Sequence, residues 1–278
     1  MKRRKSTFAF AALLAAAAWT GPALSAARDP CAPSPGNPEI ADNVPARHVF
    51  IVVDRTVVFQ PAAREKVMRW VHQLIRGDDD VRVYSLSGLA LDAGSALEMR
   101  ERLEHSLSED ELDENVSTLM RKTAKTCRER EIGAVRKRIE GTVRNLLSTP
   151  VDDSVPSEIV EFLSHLSVDG DDAPGRSVVV LLSDMMENSK SFYSFYSPRC
   201  LEANSLRKYL DRLTANGTVG HMHAARVFVI GAATVPARGK HLTLPERRNL
   251  EQFWHEWFDD SRADLRMWDE TYPTREPD

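Results

Sequence analysis

Two apolar runs that each end in an aspartate place the strongest constraint on the fold of this chain. The first, HVFIVVD, covers residues 48–54, and the second, VVVLLSD, covers residues 178–184. Neither run alternates polar and apolar residues, so each predicts a strand that is covered on both faces, as in a parallel sheet with helices above and below it. A carboxylate at the end of such a buried strand needs a partner, because an isolated buried charge is costly.

Helical and strand patterns alternate around these two runs. Residues 61–76 show apolar residues at helical spacing after a proline suited to a first helical turn, and residues 81–86 read as the next strand. The alternation resumes in the second half of the chain, with VPSEIVEFLSHL as helix, LEANSLRKYLDRLTANG as helix, ARVFVIGAA as strand, NLEQFWHEWFDD as helix and ADLRMW as a short last strand. This order predicts an α/β fold with a doubly wound, mostly parallel sheet.

The stretch 95–147 interrupts that alternation. It is heavily charged, with apolar residues at intervals of three or four, which predicts two or three amphipathic helices that form an insertion in the main domain. We interpret its charge as a solvated helical surface.

The N-terminal residues are typical of a secretory signal peptide. The basic segment MKRRK precedes the apolar segment FAFAALLAAAAW, and small residues suit cleavage near Ala26. We expect a signal peptide over 1–26, a Pro-rich mobile leader over 27–45, the main domain over 46–272 and a tail over 273–278. The apolar segment is short for a membrane span, although an uncleaved anchor is the alternative. The protein is therefore expected to be exported, either periplasmic or secreted, with no stable membrane insertion after cleavage.

Charge and motifs exclude several classes of function. Loss of residues 1–26 removes four basic and no acidic residues, which lowers the net charge from −4 to about −8. That balance argues against nucleic acid or an anionic membrane as the partner. The sequence has neither a Gly-rich phosphate-binding motif nor a GxSxG motif, so it does not predict nucleotide use or an α/β serine hydrolase. We expect a protein partner.

The three cysteines are Cys31, Cys127 and Cys200, and their wide spacing does not fit a metal knuckle. In an oxidising compartment we expect one disulfide and one odd thiol. Three pairings are open from the sequence, and three unpaired thiols are the alternative. We favour Cys127 with Cys200, because Cys31 lies in the Pro-rich leader.

The two strand-end aspartates, Asp54 and Asp184, form the candidate site. In a doubly wound sheet, ligands lie beyond the carboxyl ends of the strands, where the strand order reverses. Two carboxylates brought together there repel each other unless a cation or hydrogen-bond donors lie between them. A divalent cation would resolve the repulsion, and the hydroxyl of Thr56 can face the same side as Asp54. In the alternative interpretation both aspartates only cap turns.

The segment Asp54-Arg55-Thr56 and the later Ser-Asp-Met at Asp184 resemble the von Willebrand factor type A domains, which include the integrin inserted domain. Those domains carry an Asp-x-Ser/Thr-x-Ser motif after the first strand, a Thr from a second loop and an Asp after the central strand. Together these residues form a metal-ion-dependent adhesion site. The likeness covers most of residues 46–270 in strand and helix order and leaves the stretch 95–147 unmatched.

The resemblance implies a Mg²⁺, Mn²⁺ or Ca²⁺ site made by Asp54, Thr56, Ser157 and Asp184, which binds the carboxylate of a protein partner. Ser157 best fits the second-loop Thr of the family, with Ser154 and Thr149 as alternatives. The chain departs from the family pattern at Val58, where the family has its second hydroxyl ligand.

The loop 185–200 is expected to frame the partner surface. It contributes Glu187 and an aromatic group, and Arg55 adds a cation beside the acids. The aromatic candidates are Phe192, Tyr193 and Tyr196, and packing of this group over the end of the sheet is the alternative.

We expect a non-enzymatic interaction domain. One rival is a metal-free structural or assembly component of an envelope complex in which Arg55 replaces the ion. A second rival is a metal-assisted hydrolase that uses Asp54 and Asp184, although no histidine lies close to either motif in sequence.

Overall fold

The computed structural model describes residues 31, 45–86, 96–103, 117–151, 156–166, 175–189, 193–233, 242–269 and 277. The expected signal peptide and most of the leader and tail lie outside these ranges. The strands are β1 (Arg47–Asp54), β2 (Asp79–Leu86), β3 (Ala96–Arg102), β4 (Ser177–Leu182), β5 (Arg226–Ile230) and β6 (Asp264–Asp269). The helices are α1 (Pro61–Leu74), α2 (Thr118–Ser148), α3 (Ile159–His165), α4 (Ala203–Ala215) and α5 (Leu244–Asp260).

The six strands form one sheet in the order β3-β2-β1-β4-β5-β6. All neighbouring pairs are parallel except β2 and β3, which are antiparallel. The predicted α/β fold with a doubly wound, mostly parallel sheet is confirmed. Strand order reverses between β1 and β4, so the switch point lies at the carboxyl ends of these two central strands.

Both faces of the sheet are covered, which explains the continuous apolar strands. Along β1, Phe50 and Val52 pack on one face, while Ile51 and Val53 pack on the other. The first face is covered by α3, α4 and α5, and the second by α1 and α2. The large aromatic side chains of α5 are fully buried on the first face, as their helical spacing predicted: Phe253, Trp254, Trp257 and Phe258.

The expectation of two or three helices over 95–147 is wrong in part. Residues Ala96–Arg102 form the antiparallel edge strand β3, and Thr118–Ser148 form one helix of 31 residues. Partners on β2 account for the strand, because Glu98 accepts a hydrogen bond from Ser85 and Arg100 donates to Asp80. Helix α2 begins after Ser117, whose side chain accepts a hydrogen bond from the Met120 amide.

The predicted Cys127–Cys200 disulfide is also wrong. Cys127 pairs with Cys31, whereas Cys200 lies outside this disulfide, and its buried thiol donates to the carbonyls of Phe195 and Ser197. The physical reason is the sheet itself. Helix α2, which carries Cys127, packs on one face, whereas Cys200 belongs to the core of the opposite face.

Within the described ranges, none of the helices is long and apolar enough to cross a membrane.

Candidate functional site

Asp54 and Ser183 lie side by side at the switch point. Strands β1 and β4 are in register through Val53 and Leu182, so the next residue of each chain segment follows at the same edge of the sheet. Asp54 is only 1 % exposed and Ser183 only 2 % exposed. The positions of Asp54 and Ser183 are therefore fixed by the two central strands rather than by a peripheral loop.

The carboxylate of Asp54 gathers hydroxyl groups from three segments of the chain. Its Oδ1 accepts hydrogen bonds from the Thr56 amide at 3.0 Å and the Thr56 hydroxyl at 2.7 Å. Its Oδ2 accepts from the hydroxyls of Ser157 at 2.9 Å and Ser183 at 2.8 Å. Hydrogen bonds to a carboxylate are stronger than those between neutral groups, so this cluster holds three side chains in fixed positions.

The segment before α3 brings Ser157 to this cluster. Its carbonyl accepts a hydrogen bond from the Asn188 amide at 2.8 Å, which joins it to the segment that follows β4. The structure thus brings Ser157, the first candidate for the second-loop ligand, to the Asp54 carboxylate. The alternative Thr149 directs its hydroxyl to the carbonyl of Asn145 in its own helix, and Ser154 lies outside the described residues.

Asp184 is buried beside this cluster. Its Oδ1 accepts a hydrogen bond from the Met186 amide at 2.9 Å, and its backbone carbonyl accepts one from Ala233. Its Oδ2 is buried and accepts no hydrogen bond of good geometry from the described residues. Burial, and next the negative charge of Asp54, raise the pKa of Asp184 well above its ordinary value, although the Met186 amide and the Tyr196 hydroxyl act in the opposite direction.

Glu187 has a structural contact that sequence reasoning did not identify. The expectation that it contacts a partner is wrong, because the side chain is 0 % exposed. Its Oε2 accepts a hydrogen bond from the Val160 amide at 2.9 Å, in the first turn of α3. Burial raises the pKa of Glu187 well above its ordinary value. The carboxyl group therefore ties the segment after β4 to the segment that carries Ser157.

Arg55 does not take the place of a cation. Its guanidinium donates from Nε and Nη2 to the carbonyl of Thr149, at 3.2 and 3.0 Å, at the end of α2. Among the described residues it forms no ion pair with Asp54 or Asp184. Arginine side chains at a helix C-terminus satisfy carbonyls that lack partners within the helix.

The aromatic loop packs inward more than expected. The ring of Tyr193 stacks on Tyr209 with centroids 4.5 Å apart, and its hydroxyl donates to the Cys200 carbonyl. Tyr196 is half-buried against the same core and lies near Asp184. Tyr193 is therefore half-buried against the core, as Tyr196 is, and Phe192 lies outside the described residues.

The donor set fits a hard divalent cation. Such ions prefer carboxylate and hydroxyl oxygens, and a cation between Asp54 and Asp184 would offset both the cost of burying the Asp184 carboxylate and the repulsion from Asp54. Among the described residues, Cys31, Cys127 and Glu131 have ligand atoms within 4.8 Å of one another. Both of these cysteines are consumed in the disulfide, so that group is not a metal centre.

The sequence matches no protein-family model and no curated protein. Among solved structures, it is similar to an aerotolerance-related membrane protein from Bacteroides fragilis NCTC 9343, solved with multiple mutations to serines. The identity is 12 % and the TM-score is 0.31, over 81 % of this chain and 92 % of that chain. A likeness at this level carries no information about function.

Proposed function

We propose that this chain is an exported, von Willebrand A-like interaction domain. It binds a divalent cation of the Mg²⁺ type through Asp54, Thr56, Ser157 and Asp184. The bound ion is in turn coordinated by a carboxylate of a protein partner. One observation carries the proposal: hydroxyls from separate chain segments converge within 2.9 Å of the Asp54 carboxylate, and Asp184, whose pKa that carboxylate raises, directly follows Ser183 of this cluster.

Hydroxyl chemistry supports cation binding at this cluster. A serine or threonine hydroxyl has one hydrogen to donate and two lone pairs that can accept. Thr56 and Ser157 each use the hydrogen on Asp54, which leaves oxygen lone pairs for an ion. The ion would supply a positive charge that offsets the repulsion between Asp54 and Asp184 and attracts an anionic partner group.

Binding is favoured over hydrolysis by the composition of the site. In the described structure, the hydrogen bonds around Asp54 and Asp184 come from hydroxyls and backbone amides. A metal-assisted hydrolase needs a group that accepts a proton near the reacting water, and histidine is the usual choice. The expected export agrees with the disulfide between Cys31 and Cys127, since disulfides persist in oxidising compartments.

Calorimetry with Mg²⁺, Mn²⁺ and Ca²⁺ on the chain from residue 27 onward tests the proposal. We expect saturable binding at one site, and loss of that binding in Asp54→Ala. The matched control is Asp211→Ala, which removes an exposed carboxylate that pairs with Arg207 on α4. Wild-type protein that shows neither heat nor a thermal shift with any of the three ions would instead support a metal-free assembly component.

Partner capture provides the second part of the test. Immobilised wild-type protein and the Asp211→Ala control should retain the same protein from an envelope extract of the source organism, and EDTA should release it. The Asp54→Ala variant should retain none of it. Retention that is equal for all three proteins and insensitive to EDTA would remove the metal from the interaction.

A further inference from the structure

We propose that Ser183 is a direct hydroxyl ligand of the cation and takes the role that Val58 cannot fill. The inference rests on the proposed function and adds a ligand to the same site. It assigns to Ser183 a role that its place at the end of an apolar strand did not indicate.

Ser183 lies next to the Asp54 carboxylate. The residue follows β4 directly, and its Oγ lies 2.8 Å from Asp54 Oδ2. The Oγ of Ser157 lies 2.9 Å from that same oxygen. Two hydroxyls that share one acceptor oxygen are near neighbours, so an ion held by Ser157 lies close to Ser183 as well.

The Ser183 hydroxyl has the capacity to coordinate an ion in addition to its hydrogen bonds. Its hydroxyl donates its single hydrogen to Asp54 and accepts one hydrogen bond from the Met185 amide at 2.9 Å. One lone pair is left on an oxygen atom whose residue is 2 % exposed. A cation can use that lone pair without breaking either hydrogen bond, so both bonds hold the oxygen in place for coordination.

Val58 is exposed to solvent and does not contribute to the cluster. Its side chain is 45 % exposed, whereas the neighbouring Val57 is 4 % exposed. The chain therefore turns after Thr56 and presents position 58 to solvent. Ser183, which directly follows β4, lies inside the cluster, so it supplies the oxygen that position 58 lacks.

Three variants and a control test this role, with Mn²⁺ and Cd²⁺ calorimetry as the readout. Ser183→Ala should weaken Mn²⁺ binding more than about tenfold, the lower range for loss of a group that supports a metal, and Ser183→Thr should retain it. Ser183→Cys should lose Mn²⁺ affinity and gain Cd²⁺ affinity, because thiolates favour soft metals. Ser261→Ala is the matched control, since Ser261 is also a buried hydroxyl, which donates to the Phe258 carbonyl.

The outcomes separate this inference from the proposed function. Equal Mn²⁺ affinity in wild type and a folded Ser183→Ala variant would overturn the role of Ser183 and leave the metal site standing. Ser183→Cys that weakens Mn²⁺ and Cd²⁺ alike would also overturn it, because a residue that only positions Asp54 gives no change of metal preference. Wild-type protein that binds no Mn²⁺ would overturn the proposed function, and the inference with it. Thermal unfolding of each variant checks that the fold is intact.

Discussion

The hydroxyl of Ser157 donates a 2.9 Å hydrogen bond to Asp54 Oδ2, although the two residues are 103 positions apart. This bond joins the end of β1 to the segment before α3. The same segment is held to the residues after β4 by the Asn188 amide and by the Glu187 carboxyl group. The candidate ligands therefore belong to segments that are fixed to one another.

Replacement of Asp54 by asparagine tests how much this cluster contributes to stability. The carboxylate accepts four hydrogen bonds, from the amide and hydroxyl of Thr56 and from two serines. The amide nitrogen of asparagine cannot accept, so two donors must rearrange or lose their partner. We expect Asp54→Asn to lower the free energy of unfolding by about 1–3 kcal/mol, measured by urea denaturation in EDTA. If Asp54→Asn unfolded at the same urea concentration as the wild type, the hydrogen bonds to Asp54 would not be what fixes the site.

Arg55→Met separates two roles for Arg55, namely support of the end of α2 and replacement of the cation. The guanidinium donates to the Thr149 carbonyl at the end of α2. Its loss should lower the free energy of unfolding by about 0.5–1.5 kcal/mol and leave Mn²⁺ affinity unchanged. A large gain in metal affinity would indicate that Arg55 competes with the ion, as the metal-free rival requires.

Glu187 should make the metal-free protein less stable as pH rises. Burial raises the pKa of Glu187 in the folded state above its ordinary value of 4.5, so the folded state binds the proton more tightly than the unfolded state does. The free energy of unfolding should then fall between that ordinary value and the raised pKa, and level off above it. Asp184 adds a fall of the same sign from its ordinary value of 3.8.

Glu187→Gln removes this titration while it keeps an oxygen to accept from the Val160 amide. We expect the variant to show a flatter dependence of unfolding free energy on pH above the ordinary value of 4.5, measured by urea denaturation in EDTA. Glu251→Gln, at an exposed position on α5, serves as the control. Parallel pH profiles for wild type and Glu187→Gln would contradict the assignment.

The disulfide gives a prediction about stability and about connectivity. Cys31 and Cys127 are separated by 96 positions, so their bond restricts the unfolded chain over a long loop. We expect Cys31→Ser or Cys127→Ser to lower the free energy of unfolding by about 2–5 kcal/mol. Peptide mapping without reduction should find these two cysteines linked and Cys200 free. A linked Cys200 would contradict the structure.

The meeting of the two strand ends was predictable because parallel strands put their carboxyl ends at one edge of the sheet. Asp54 and Asp184 each follow an apolar run, and the strand order brings those runs together. Ser157 was predictable only through the family resemblance, since nothing local in its sequence points to a contact 103 positions away.

Other features depend on tertiary contacts that a single sequence does not show. A serine at a strand end is common, so Ser183 gave no signal until its distance to Asp54 was known. Glu187 looks like a surface acid, and its burial follows from the amide of Val160 that it reaches. The charged segment Ala96–Arg102 fits both strand and helix spacing, and pairing with β2 decides for the strand.

Anomalous diffraction from crystals of the protein grown with Mn²⁺ would locate the ion. We expect one strong peak within bonding distance of the hydroxyls of Thr56 and Ser157, beside Asp54 and Asp184, and absent from Asp54→Ala crystals. A peak elsewhere on the molecule, or a well-ordered cluster with no peak at saturating Mn²⁺, would contradict it.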